Sequence, residues 1–132
     1  MDKSLRLRLY EIQPTQLYIN ARKLAFLEEK YPPGTEANIE PVPVKMMHGK
    51  IVYTDGHTRA FILWKRGYES IDAVWDDTYL DETTYETCLG WCESEEIFTI
   101  ADLADRIVDD ATFQTKWIAR CQAIDSDRVK AR

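Results

Sequence analysis

The sequence predicts an α+β fold: a small mixed sheet with helices packed on it, extended at the C-terminus by further helices. Three observations carry that prediction. Short runs rich in strand formers alternate with stretches of helical composition before residue 76. Pro and Gly punctuate the joints at Pro14, Pro32-Pro33-Gly34 and Gly67. After Trp75 the strand-like runs give way to acidic sequence and two apolar stripes of helical period. At 132 residues, 45% of them hydrophobic, the chain has the size of one domain and can bury a core without metal or disulfide staples. The expected organisation is an α/β core over residues 1–75 and an acidic helical extension over residues 76–132, packed on the same domain.

The elements follow in order. Leu5 to Ile12 alternate apolar and polar, with slippage at Tyr10, as a half-buried strand does. Leu17, Tyr18, Leu24, Leu27 and Tyr31 mark a helical face, with Asn20 as cap and Glu29 near the end. Pro41 to Met46 read as a strand that its prolines place at an edge or a strand start. His48-Gly49-Lys50 is a turn, and Ile51 to Thr54 form the next strand. Residues 58–66 are helical, Gly67 stops that helix, and Ser70 to Trp75 return as a strand. Strand, helix and strand at this spacing predict a compact right-handed crossover. Thr99 is the expected cap of a helix holding Ile100, Leu103, Ile107 and Val108, and Phe113, Trp117, Ile118, Cys121 and Ile124 stripe another.

Composition narrows the function classes. No apolar run approaches the roughly 20 residues of a membrane helix. Met1 to Arg6 lack a signal-peptide core, so no membrane association and a cytoplasmic location are expected. The net charge of −6 is uneven: residues 76–110 carry twelve acids and one base, Arg106, while the rest carries eleven acids and sixteen bases. Duplex-DNA binders show a basic stripe, so DNA is disfavoured as a partner. Cys88, Cys92 and Cys121 read as free thiols. Cys88 and Cys92 would share a helix face, but two thiols do not close a zinc site, and buried idle thiols are the default reading.

The chemistry concentrates in Asp55-Gly56-His57-Thr58-Arg59. A strand delivers the chain to Gly56, which tolerates positive φ, and a helix then opens with backbone amides that lack intrahelical partners. Those amides and the helix dipole attract an anion. Thr58 offers a hydroxyl, Arg59 a planar fork for phosphate oxygens, and His57 a hydrogen bond, with a proton if an anion lies beside it. Asp55 can hold Mg2+ through water, or simply cap the helix. Beside this stands the plain reading, in which Asp-Gly is an ordinary strand–helix junction and Arg59 pairs with a neighbouring acid.

The surrounding order of features widens the motif. A strand ending Ile12-Gln13-Pro14, a helix, the Pro41-Val42-Pro43-Val44 strand, Asp55-Gly56-His57-Thr58-Arg59-Ala60, Gly67 and a strand ending Ala73-Val74-Trp75 occur in sequence. Over residues 7–75 this resembles the ParB N-terminal/sulfiredoxin superfamily, which includes the ParB-like nuclease family. The resemblance implies the fold of that superfamily and a nucleotide, ATP, ADP or CTP with Mg2+, whose phosphates are met by Gly56, His57, Thr58 and Arg59. Departures exclude particular activities. Sulfiredoxin's reactive cysteine is replaced by His57, removing its nucleophile. ParB's Gly-Glu-Arg-Arg keeps only Gly56 and Arg59 here, and its basic downstream helix-turn-helix is replaced by acidic sequence. The free-serine kinase turn, Asp-Gly-His-His-Arg, is the most similar, but its catalytic glutamate corresponds to Gln16, an amide that cannot accept a proton as a carboxylate does. Glu11 or Glu40 would have to substitute.

Three functions are therefore expected in descending order. The first is nucleotide phosphate binding with phosphoryl transfer to a small-molecule acceptor or nucleotide hydrolysis, using Asp55, His57 and Glu40 as catalytic groups and Asp55 for the metal. The second is a non-enzymatic interaction or regulatory module, with a homodimer through the C-terminal helices. The third is a DNA-associated, nuclease-like protein. Trp64, Trp75, Trp91 and Trp117 read as core or interface anchors more than as base stackers.

Overall fold

The computed structural model describes residues 4–78 and 81–130. Strand β1 (Ser4–Arg8) passes through a 3-10 turn (Leu9–Glu11) into β2 (Ile12–Gln13) and β3 (Ile19–Asn20). Helix α1 (Ala21–Lys30) follows, then β4 (Val42–Met47), β5 (Lys50–Tyr53), α2 (His57–Lys65), β6 (Ser70–Trp75) and α3 (Glu82–Ser94). A 3-10 helix (Ile100–Leu103), β7 (Ile107–Val108) and α4 (Asp110–Phe113) lead through a π-helical stretch (Gln114–Ile118) into α5 (Ala119–Lys130). This is an α+β fold, as the alternation of periods predicts. Among the described residues no helix is long and apolar enough to cross a membrane.

Five strands form one mixed sheet in the order β1-β6-β4-β5-β2. β1–β6 and β4–β5 are antiparallel, while β4–β6 and β2–β5 are parallel. Successive strand residues point to opposite faces, and both faces are covered beneath β5. Tyr53 enters the main core with Val42, Val44, Ile71, Phe61 and Ile62. Val52 packs the other way, with Met47 on β4 and Leu89 on α3. Local signals close the turns. His48 and Gly49 both take positive φ in the β4–β5 hairpin. Gly67, also at positive φ, ends α2 in a Schellman motif: Tyr68 N–H reaches Leu63 O and Gly67 N–H reaches Trp64 O, each at 3.0 Å. The Asn20 side chain accepts from the N–H groups of Arg22 and Lys23 and caps α1.

Three expectations are corrected and one is decided between its two alternatives. The slippage at Tyr10 is a break: a 3-10 turn divides the expected single strand into β1 and β2, which lie at opposite edges of the sheet. Of the two places the prolines allow, the strand start holds and the edge does not: Pro41 precedes β4, Pro43 is its second residue, and β4 lies between β6 and β5. Pro43 is tolerated there by acting as an acceptor, taking the Thr54 N–H at 3.1 Å. The β5–α2–β6 unit is not a parallel crossover, since β4 lies between β5 and β6, antiparallel to one and parallel to the other. Finally, Thr99 opens a capping box with Asp102, but the helix stops at Leu103, and Ile107–Val108 pair in parallel with Ile19–Asn20 instead. Tertiary strand pairing overrides the helical period there.

The extension binds to the core on several sides. Besides β7, Asn20 Nδ2 donates to Asp110 at 2.9 Å. The stripe of the last helices faces inward: Phe113 and Trp117 are buried, and Ile118, Cys121 and Ile124 pack against the same cluster. Trp117 meets Trp91 of α3 edge-on at 6.0 Å. Phe113 and Trp117 of this stripe are thus covered within the chain, and Ile118, Cys121 and Ile124 are covered in part. Of the four tryptophans, Trp91 and Trp117 anchor the core, and Trp64 and Trp75 are exposed.

Candidate functional site

The site is the joint between β5 and α2. Gly56 caps α2 with φ +81°, a conformation L side chains resist. Space excludes a side chain as well, since a Cβ there would lie 2.7 Å from Val42 Cγ1 and 2.9 Å from Arg59 Nη2. The Gly56 N–H donates to Asp55 Oδ1 at 2.8 Å, and Ala60 N–H makes the first helical bond to Gly56 O at 3.0 Å. The N–H groups of His57, Thr58 and Arg59 therefore have no intrahelical acceptor.

The Arg59 guanidinium folds back over Gly56. Its Nη1 donates to the carbonyls of Glu40 and Pro41, each at 3.1 Å, so it ties α2 to the entrance of β4. The Glu40 carboxylate approaches only to 4.0 Å, and its side chain is 79% exposed against 18% for Arg59. Arg59 is thus not locked to an internal acid: backbone carbonyls hold Nη1, and Nη2 lies over the glycine. Glu40 stands beside Arg59 on the exposed side.

His57 plays a different part from the one expected. It is 5% exposed, its ring lies 5.0 Å from that of Tyr53, and its Nε2 accepts the Thr15 N–H at 3.0 Å. Burial pushes its pKa down to about 3; the Asp55 charge opposes this and the Lys23 charge adds to it. The ring is neutral at pH 7, and its Nε2 lone pair is engaged. His57 therefore serves as a buried brace between Thr15 and α2, and neither as a protonated anion partner nor as a free acid–base group. Thr15 also donates its hydroxyl to Tyr53 O at 2.7 Å, which ties the β2–β3 connection to β5. Thr58, 2% exposed, likewise faces the core, so its hydroxyl is not presented to an open cleft as the sequence reading has it.

This burial has a measurable pH signature. His57 is depressed when folded and ordinary when unfolded, so the unfolded chain binds the extra proton first. Its contribution to stability is complete above about pH 6.5 and falls as pH drops toward about 3, at up to roughly 1.4 kcal/mol per pH unit. Urea denaturation at pH 7 and pH 5 is expected to show the loss. His57→Gln, which lacks the titrating group, is expected to flatten that part of the profile.

Asp55 is exposed at the mouth of the turn. α3 reaches the same place, where Tyr85 Oη donates to Thr54 O at 2.9 Å and Thr54 Oγ1 donates to Asp76 Oδ2 at 2.7 Å. The Thr78 and Thr54 hydroxyls hold the Asp76 carboxyl below its ordinary range, whereas burial and then the charges of Asp55 and Asp76 raise the Tyr85 phenol. Among the described residues no three His, Cys, Asp or Glu side chains converge to hold a metal. Asp55 can supply one carboxylate to Mg2+, an ion that commonly completes its shell with ligand phosphates and water.

Other predicted residues fall differently. Gln16 Nε2 donates to Tyr18 O at 2.7 Å, a local bond. Lys23, missed in the sequence, lies in the first turn of α1 near enough to act on His57 electrostatically. A lysine there opposes the helix dipole, and that was the available signal. A cleft of about 560 Å3 lies elsewhere, lined by residues including Arg8, Tyr10, Trp64 and Tyr68.

Comparison with known proteins adds the fold alone. No family model matches the chain, and no curated protein matches it. Among solved structures, it is similar to protein Atu1540 from Agrobacterium tumefaciens, with a TM-score of 0.53 at 18% identity. The similarity covers 82% of this chain and 63% of that one.

Proposed function

We propose that the start of α2 binds the phosphates of a nucleotide, with Mg2+ held between those phosphates and Asp55. The reading is supported above all by Gly56, whose positive φ and lack of side chain let Arg59 Nη2 lie directly over the helix start. Cation, free amides and dipole then act on one point. Lys23 adds positive potential from α1. Of the groups expected from the sequence, His57, Thr58 and Arg59 contribute backbone amides and Arg59 its guanidinium, while the Gly56 N–H is taken by Asp55 Oδ1.

The arrangement favours binding over chemistry. With His57 neutral and engaged, only the rim carboxylates Asp55 and Glu40 are left as bases for phosphoryl transfer or hydrolysis. Calorimetric titration of the full chain with Mg2+ and ATP, ADP, CTP or GTP tests the proposal. Saturable heat from at least one is expected, and silence from all four at millimolar concentration would remove the reading.

A second reading, an interaction module, is favoured by exposed aromatics. Tyr10, Trp64 and Tyr68 border a cleft of about 560 Å3 at the C-terminal end of α2, away from the turn. Light scattering alongside the titration separates the two: self-association without nucleotide heat would favour the module.

A further inference from the structure

The three cysteines meet in one seam. α3 contributes Cys88, Trp91 and Cys92, and the C-terminal helix contributes Trp117, Arg120 and Cys121, all at spacings that share a helix face. Around the thiols the seam is held tightly. Trp91 packs on Trp117, the Arg120 guanidinium lies 3.8 Å over the Trp91 ring, and Glu95 pairs with Arg106 at 2.9 Å and Arg120 at 3.8 Å. Cys88 and Cys92 are buried, whereas Cys121 is partly open to solvent. The Cys88 thiol is hydrogen-bonded across the seam to Cys121, on a different helix.

We propose that Cys88 and Cys121 form an intramolecular disulfide when the protein meets a hydroperoxide, clamping α3 to α5. Contact between the two side chains across packed helices, with one sulfur accessible, puts a second thiol within reach of the first to be oxidised. The steps balance with hydrogen peroxide as oxidant. Cys121 sulfur takes one peroxide oxygen to become a sulfenic acid, and the other oxygen leaves as water. Cys88 sulfur then attacks Cys121 sulfur, and the sulfenic hydroxyl leaves as a second water with the Cys88 proton. Two thiols are oxidised and one peroxide is reduced. Cys121 is the accessible thiol and meets the oxidant, while the contact with Cys121 and then burial raise the Cys88 thiol, and burial pushes Cys92 up to about 12, so Cys88 resolves.

The clamp would act on the helix that touches the candidate site. Tyr85, one turn before Cys88 on α3, holds the Thr54 carbonyl next to Asp55. Oxidation would restrain that tether without changing any residue of the turn. This proposal stands on the seam alone and does not depend on nucleotide binding.

The reduced full-length chain is exposed to graded hydrogen peroxide, quenched, and weighed intact under denaturing conditions. The expected product is monomeric, about 2 Da lighter, with Cys88 and Cys121 joined in the peptide map. Its Tm is expected to rise by roughly 5 °C or more and to return with dithiothreitol. Cys92→Ser keeps the cross-link, and Cys121→Ser abolishes it. Thiols that stay reduced, a Cys121 that passes to sulfinic acid without a link, a Cys88–Cys92 link, or a bridge between two chains would each overturn the proposal. Mapping the unmodified sequence decides the matter even if a variant misfolds.

Discussion

Gly56→Ala is expected to destabilise the fold by about 2–5 kcal/mol, more than the same change at the other glycines at positive φ. The positive φ alone costs an L residue roughly 1–2 kcal/mol. The added Cβ would also lie 2.7 Å from Val42 Cγ1, a side chain at the start of a central strand that cannot swing aside, and overpacking of this kind costs about 1–3 kcal/mol. Gly67 provides the internal control. Its φ is +88°, but nothing lies within 4 Å of its missing Cβ, so Gly67→Ala should show only the smaller backbone cost. Urea denaturation at constant slope separates them. Equal losses at the two glycines would mean that the close approach over Gly56 is not a constraint, and that Arg59 is free to lie elsewhere.

Arg59→Ala is expected to weaken Mg2+–nucleotide binding by tenfold or more. A charge-assisted hydrogen bond to phosphate contributes about 1.5–3 kcal/mol, and each 1.4 kcal/mol is tenfold in affinity. The same substitution removes two donors from the carbonyls of Glu40 and Pro41, so a modest loss of stability accompanies it. Affinity must therefore be measured where both proteins are fully folded. Arg59→Lys should rescue little, because a point charge cannot span two carbonyls and a phosphate at once. Glu40→Gln separates charge from geometry: at 4.0 Å and largely exposed, Glu40 is expected to matter less to stability than Arg59 does. Wild-type affinity in Arg59→Ala would remove the guanidinium from the site.

Much of the local architecture was legible before any coordinates. Asn20 announced the start of α1, Gly67 the end of α2, and His48-Gly49 the hairpin, because each is a short-range demand of backbone geometry on a particular side chain. The strand-turn-helix at Asp55 to Arg59 could be read for the same reason. What misled was local pattern where distant partners decide. Alternation through Tyr10 hid a turn, prolines at residues 41 and 43 fitted an edge as well as the strand start they mark, and Ile107 and Val108 kept a helical period while pairing with β3.

By itself, the sequence determined the α+β class, the helix caps and the glycine joint before α2, all of them consequences of conformational preference over a few neighbouring residues. Tertiary structure alone decided the fate of the side chains there. Thr15, forty-two positions from His57, occupies its Nε2 and burial keeps it neutral, while Arg59 is turned onto carbonyls of residues 40 and 41. Charge state and hydrogen-bond partner depend on what the fold brings close and what it shields from water, and neither is carried by the motif that names the residues.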